Sequence, residues 1–401
     1  MNASPAEHAP RWPAWTLLAF VALWPTGAPA EAVLVLGGLA ALLALASRRA
    51  ALAPEAMALC SLFFLAYWLP QLFSAVDALD ARRAWHEVIV DLRYLPFLWL
   101  AALAVATPRL RRLTFSGLAA IATLWCLDGL VQAVTGFSLG GESSVRLTGI
   151  FGAHNPKLGL VLAALSPFTL YAAHARYGRL GWSAAALALI VVVMLAGARA
   201  GWLMLALALS ATGWRIFGLR GVLLGGAVAA VLAVGVGALF SERLAERLER
   251  TAAVFDGAAG GLDHALSGRL VIWEAALRML ADYPVNGVGV RGYRVAYPDY
   301  APHVEQAWGE GEALHAHQWL LEVAAETGLL GLALWFAGIA FGLRAWRRAE
   351  AAARARARAP ALALVLVLFP LNTHLAVYST FWGGTVLLLA GLYAGALLAR
   401  R

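Results

Sequence analysis

Apolar runs of about twenty residues, broken by short arginine-bearing segments, recur along almost the whole chain. This spacing constrains the fold more than any other feature. A bilayer core about 30 Å thick takes roughly 20 helical residues to cross. Twelve runs meet that requirement within a few residues: 13–29, 31–47, 55–75, 87–106, 114–136, 157–174, 181–199, 201–217, 221–240, 320–343, 360–378 and 381–399. The first two are short. Composition agrees, since 62% of the 401 residues are hydrophobic, 13% are charged, and mean hydropathy is +0.73. A water-soluble chain of this size could not bury so much apolar surface, and a disordered one would be poor in it. The expectation is an all-α polytopic membrane protein of about 12 transmembrane helices, with one large, partly helical loop between spans 9 and 10.

Net charge is +8, with Lys157 the single lysine among 31 basic residues. In a soluble protein such a balance would suggest nucleic acid. Here the arginines sit at the ends of apolar runs and report topology, so no nucleic-acid partner is expected. Arginine gathers in alternate short loops: Arg48/Arg49, Arg109/Arg111/Arg112, Arg176/Arg179, Arg215/Arg220, Arg344 to Arg358, and Arg400/Arg401. Cytoplasmic loops carry such an excess, which places both termini in the cytoplasm. The Ala/Arg alternation at 351–358 reads as a solvated cytoplasmic loop, with a polybasic site for anionic lipid as the functional alternative. Met1–Arg11 carries one arginine before a run that continues into the next span, so no cleaved signal peptide is expected. Cys60 and Cys126 lie within apolar runs, which argues against a disulfide framework or a thiolate metal site.

The chain therefore divides into 1–240 with nine spans, 241–319 as a periplasmic loop domain, and 320–401 with three spans. Within the loop, Ser241–Phe255 and Ser267–Ala281 show apolar residues at spacings of three and four, the pattern of amphipathic helices. A second outside loop, Gly136–Pro156, holds Arg146, His154 and Asn155.

The unusual polar groups gather on this outer side. Arg199 ends span seven, Arg269 and Trp273 share a helical face, and Tyr283-Pro-Val-Asn-Gly-Val-Gly-Val-Arg291-Gly-Tyr293 is a Gly-rich turn. His315-Ala-His317-Gln-Trp leads into span ten. Arginine forks and backbone N–H groups of a Gly-rich turn suit phosphate oxygens. A histidine is the natural base for an alcohol nucleophile. Each has a bland counterpart. Arg199 serves equally as an interfacial anchor, and Arg269 with Trp273 as a cation–π pair. Gly287-x-Gly-x-x-Gly292 matches the dinucleotide fingerprint but lacks its βαβ setting. His315-x-His317 has no partner spaced to complete a zinc site. Asp91, Arg93 and Asp128 fall within spans, where ion pairing competes with function. His317 is preferred as the base because it immediately precedes span ten, whereas His315 would point elsewhere if the helix has already begun. His303 lies in a Pro/Gly-punctuated stretch with less positional control.

The succession of Arg199 at a span end, Ser-Gly-Arg269-x-x-x-Trp273, Tyr-Pro-x-x-Gly-x-Gly, and His-Ala-His317 followed by Leu-Glu-x-x-Ala-Glu326-Thr-Gly-Leu-Leu-Gly331 resembles the O-antigen ligase/polymerase superfamily. The stretch from Arg146 to Asn155 is similar to the loop that precedes the family's central core, and the likeness covers roughly 140–340. The family often has His-Asn where this chain has His317-Gln318. The resemblance implies a glycosyltransferase of the periplasmic face whose donor is a glycan on undecaprenyl diphosphate. The acceptor is a sugar hydroxyl of lipid A–core for a ligase, another lipid-linked repeat for a polymerase, or a protein. It further implies Arg199 and Arg269 on the diphosphate, with Arg291, Arg146 and Lys157 as weaker candidates, and His317 as base. His315, Trp273 and His303 are secondary candidates. No metal, cofactor or ATP is expected, because the diphosphate is already a good leaving group. The modest size and single outside domain favour a ligase. A transporter or flippase is the rival class, but no internal repeat is visible and the polar groups cluster on one face.

Overall fold

The computed structural model describes residues 10–142, 146–153, 155–240, 269–301, 314–373 and 376–399, with the backbone alone at 222, 224 and 227–240. The first half comprises α1 (Trp12–Ala22), α2 (Ala28–Ala46), α3 (Pro54–Ser74), α4 (Ala81–Val90), α5 (Tyr94–Leu103), α6 (Pro108–Thr135), α7 (Leu158–Ala196) and α8 (Arg199–Phe240). The second comprises α9 (Arg269–Asp282), α10 (Tyr293–Tyr300), α11 (Trp319–Arg348), α12 (Ala351–Arg356), α13 (Arg358–Val367) and α14 (Thr380–Leu397). Between α6 and α7, β1 (Phe137–Ser138) pairs antiparallel with β2 (Gly141–Glu142). Among the described residues, seven helical stretches are long and apolar enough to cross a membrane: α2, α3, α6, α7, Arg199–Gly221, α11 and α14. The all-α membrane class is therefore observed.

The two longest elements are each broken at a glycine, and α7 turns back on itself. A straight α7 would separate Gly159 from Ala196 by about 55 Å at 1.5 Å per residue. Instead, a Cβ on Gly159 would lie 2.8 Å from that of Ala196. The reversal occurs at Gly178 (φ 63°, ψ −147°), a conformation glycine reaches without steric cost. The expected runs 157–174 and 181–199 are thus antiparallel arms of one hairpin. α8 has the same kind of break at Gly218, between 201–217 and 221–240, and α11 has one at Gly328.

Three expected spans look different. Run 13–29 is an 11-residue α1 followed by a 3-10 turn, because Pro25 and Gly27 interrupt it. Run 87–106 starts within amphipathic α4 and passes through a 3-10 turn at Asp91–Arg93 before the 10-residue α5. Among its described residues, run 360–378 yields only α13 and non-helical stretches at 368–373 and 376–378. The expected solvated loop at 351–358 is instead α12 and the start of α13, because its alanines favour helix and Ala353 and Ala357 are buried. Arg356 reaches the carbonyls of Ala396 and Ala399 at the end of α14.

Charges within the apolar bundle are held internally. Asp91 accepts from the Tyr67 hydroxyl (3.0 Å) and the Gln71 amide (3.2 Å), and Arg93 lies 3.4 Å from Glu31. Asp128 accepts from the Leu139 amide (2.8 Å), while the Gln132 carbonyl accepts from the amides of Thr148 and Gly149. Together they staple the β1–β2 segment onto α6. The arginine-rich loops meet at one end of the bundle. Arg111 lies beside Arg356, Arg179 donates to the Ile216 carbonyl, and Arg215 and Arg358 both act on Tyr171.

Candidate functional site

The opposite end is organised by close helix crossings. Gly197 ends α7 in the left-handed region (φ 70°), and α8 begins two residues later at Arg199. A Cβ on Gly201 would sit 3.3 Å from the Gly159 carbonyl oxygen. Small residues at this crossing let the two backbones approach, which brings the starts of α7 and α8, and so Lys157 and Arg199, to the same end. The Lys157 ammonium stands 4.4 Å from the centroid of Phe381, and burial lowers its pKa.

Arg269 opens the described part of α9. Burial, and after it the neighbouring Arg199 charge, push its guanidinium down to about 10, so it remains a cation at neutral pH. Its Nη1 donates to Thr373 Oγ1 at 3.4 Å. Two arginines seventy residues apart in sequence are therefore near enough for their charges to interact. Their mutual repulsion is what an anion between them would relieve.

The histidine segment is fastened from three sides. Trp273 Nε1 donates to the carbonyl of fully buried Ala316 (3.1 Å). Gln318 caps α11, its Oε1 accepting from the Leu321 amide, and its Nε2 donates to the Pro370 carbonyl at 2.8 Å. Trp319 Nε1 donates to the Leu368 carbonyl (3.0 Å). These contacts hold His317 at φ 52°, a left-handed value uncommon outside glycine. Such strained residues cluster at functional sites. The His315 and His317 rings lie 4.0 Å apart, tilted by 47°. This corrects the expectation that His315 points elsewhere. α11 begins at Trp319, so residues 315–317 are not helical, and the turn at His317 brings the two rings together. Trp273, four residues after Arg269 on α9, holds the histidine segment.

The segment 368–373 joins these parts. Thr373 contacts Arg269, while Leu368 and Pro370 hold the start of α11. Asn372 donates to the Val367 carbonyl (3.1 Å) and contacts Met204 in the second turn of α8. Sequence reasoning missed this segment, because nothing in Phe369-Pro-Leu-Asn-Thr373 signals chemistry locally. It also overlooked the buried Glu322 and Glu326 as supports. Glu322 Oε2 accepts from the Val377 amide (2.8 Å), and Glu326 Oε2 accepts from that of Arg291 (2.8 Å). Two acids four apart at the head of an apolar run were the available signal.

The Gly-rich turn corrects another expectation. Its amides are spent within the protein: Gly287 on Tyr283, Val288 on Ala325, Gly289 on Glu326 and Gly292 on Gly289. A Cβ on Gly287 would collide with the Glu326 carbonyl carbon, so glycine is required for this close packing. Arg291 Nε lies 3.4 Å from Glu87 Oε1. The turn thus braces α11 at its Gly328 break, with Leu329 and Leu330 donating to Pro284 and Val285. These amides form no anion cradle. Arg146 is exposed beyond β2. His154, His264, His303 and His374 lie outside the described residues, as does the expected helix Ser241–Phe255. The second expected amphipathic helix is α9, which buries Ile272, Ala275, Ala276 and Met279 at the anticipated spacing.

No curated protein matches the chain. Residues 184–336 match the model of the family described as O-antigen ligase, a stretch that holds Arg199, Arg269, His315 and His317 but ends short of Lys157 and Arg146 on its N-terminal side. That stretch of the chain is similar to the O-antigen ligase family.

Proposed function

We propose that the protein is an O-antigen ligase of lipopolysaccharide biosynthesis, a metal-independent inverting glycosyltransferase. It moves a glycan from undecaprenyl diphosphate to a sugar hydroxyl of lipid A–core at the periplasmic face of the bacterial inner membrane. The observation that carries this reading is the convergence of Arg199 and Arg269 beside the histidine segment. In it, both arginines grip the diphosphate, with Lys157 at the same end as a further cation. As the glycosidic bond breaks, negative charge develops on the leaving phosphate, and preorganised guanidinium donors stabilise it. His317 removes the proton of the acceptor hydroxyl while that oxygen attacks the anomeric carbon from the opposite side, which inverts the centre. His315, in ring contact, orients it. Both termini are assigned to the cytoplasm, because the arginine-rich loops gather at the far end of the bundle from this site.

The test is transfer by purified protein supplied with lipid-linked glycan and lipid A–core in detergent without ATP. Glycan on lipid A–core supports the ligase. Glycan extended on the lipid carrier instead makes the protein a polymerase, and glycan on added protein makes it a protein oligosaccharyltransferase. Lipid movement across liposomes without transfer makes it a flippase and overturns the proposal.

A further inference from the structure

A cleft of about 570 Å³ runs between α3, α8, α11, α13 and α14, from Arg215 and Arg358 at one end to Leu368, Phe369 and Pro370 at the other. Pockets of roughly 300–1,000 Å³ are the size that takes a ligand. Its walls are almost wholly apolar, with Phe63, Trp335, Leu364 and Leu387 among them. Polar character is concentrated at Arg215, Arg358 and Tyr171, and the Tyr171 hydroxyl feels the charges of both arginines. Helix geometry fixes the depth of this cluster. Arg215 follows Arg199 by sixteen residues along one arm of α8, about 24 Å. Tyr171 follows Lys157 by fourteen residues, about 21 Å. Arg358 begins α13, whose other end leads to Thr373. The cluster therefore lies most of a bilayer core away from Arg199 and Arg269, at the arginine-rich end.

An apolar slot with two guanidinium groups at one end complements a lipid with an anionic head. Basic pockets between helices on the cytoplasmic side are the usual seats of such lipids. A lipid whose head occupied Arg199 and Arg269 would bring only hydrocarbon to this depth and would leave these arginines facing a chain end. We propose that the cleft seats an anionic glycerophospholipid of the leaflet at the arginine-rich end, its phosphate held by Arg215, Arg358 and the Tyr171 hydroxyl and one acyl chain lying in the slot. The lipid fills a void beside α11 and α13, the helices that carry Gln318 and the 368–373 segment. This inference does not depend on the transfer reaction, because its test reads binding alone.

The full chain, purified in mild detergent, is examined by native mass spectrometry and thermal unfolding with phosphatidylglycerol, phosphatidylethanolamine, inorganic phosphate or undecaprenyl phosphate added separately. Phosphatidylglycerol is expected to be retained at one molecule per protein and to raise the unfolding temperature, while inorganic phosphate does neither. Arg215→Gln with Arg358→Gln is expected to weaken retention about tenfold or more, at roughly 1 kcal/mol per basic residue. Arg215→Lys with Arg358→Lys keeps the charge and should retain the lipid. Ala211→Trp, placed at an exposed position lining the cleft, should exclude it with both arginines intact. Equal retention of phosphatidylethanolamine, unchanged binding in the glutamine pair, or undecaprenyl phosphate competing at Ala211 overturns the assignment.

Discussion

Removing the charge of Arg269 is expected to stabilise the empty protein while disabling it. The fold opposes this cation, since burial and the Arg199 charge bring its pKa down from the usual arginine range to about 10. That difference corresponds to about 3 kcal/mol against the charged form, an upper bound for a site that keeps some solvent. The sign follows from linkage. A basic group depressed in the folded state costs stability at every pH below about 10, and the cost fades only as pH rises from there towards the unfolded value. Arg269→Gln should therefore raise the unfolding temperature of ligand-free protein at pH 7 by several degrees. The same substitution removes charge-assisted contacts with a diphosphate worth about 1.5–3 kcal/mol each, so turnover should fall ten- to a hundredfold or more. Pyrophosphate or undecaprenyl diphosphate should stabilise the wild type and leave the variant unmoved. Differential scanning fluorimetry at pH 7, alongside the transfer assay, reads both effects. A variant that is less stable when empty, yet binds the diphosphate as before, would refute the reasoning.

His317→Ala is expected to lower transfer by about 10²–10⁴-fold with donor binding intact, and His315→Ala by less, in membranes of matched expression; the reverse ranking moves the base to His315. Arg291→Ala should lower thermal stability, because Arg291 pairs with Glu87, and should leave diphosphate affinity unchanged; a loss of affinity at unchanged stability would return Arg291 to the site. Gly328→Ala adds a Cβ that collides with the Val285 carbonyl oxygen at φ 65°, so a destabilisation of about 2 kcal/mol or more is expected in thermal unfolding. A cysteine at Gly257 should react with a membrane-impermeant maleimide from the periplasm, with little background from buried Cys60 and Cys126; labelling only from the cytoplasm would invert the topology.

The membrane class, the helical runs and the segregation of arginine were legible in the sequence, because each is a sum over local residues. A twenty-residue stretch carries its own transfer free energy into a bilayer whatever its neighbours do. The folding of α9 was legible for a related reason, since its apolar spacing is a one-dimensional pattern. Arg199, Arg269 and His317 were singled out through the order of their motifs along the chain. Their meeting was not, because it depends on a glycine-lined crossing at Gly159 and Gly201 and on a segment, 368–373, that has no signature of its own. The Gly-rich turn shows the limit most clearly. Its glycines looked equally suited to cradling phosphate or to close packing, and only the carbonyls that take up its amides, those of Ala325 and Glu326 in α11 among them, decide between them. Likewise His315 and His317 face each other because Gln318, and no earlier residue, caps α11. Hydrophobic transfer is additive along a chain and can be read from it. Hydrogen-bond commitment and charge repulsion depend on which distant group arrives, and that is decided by tertiary packing.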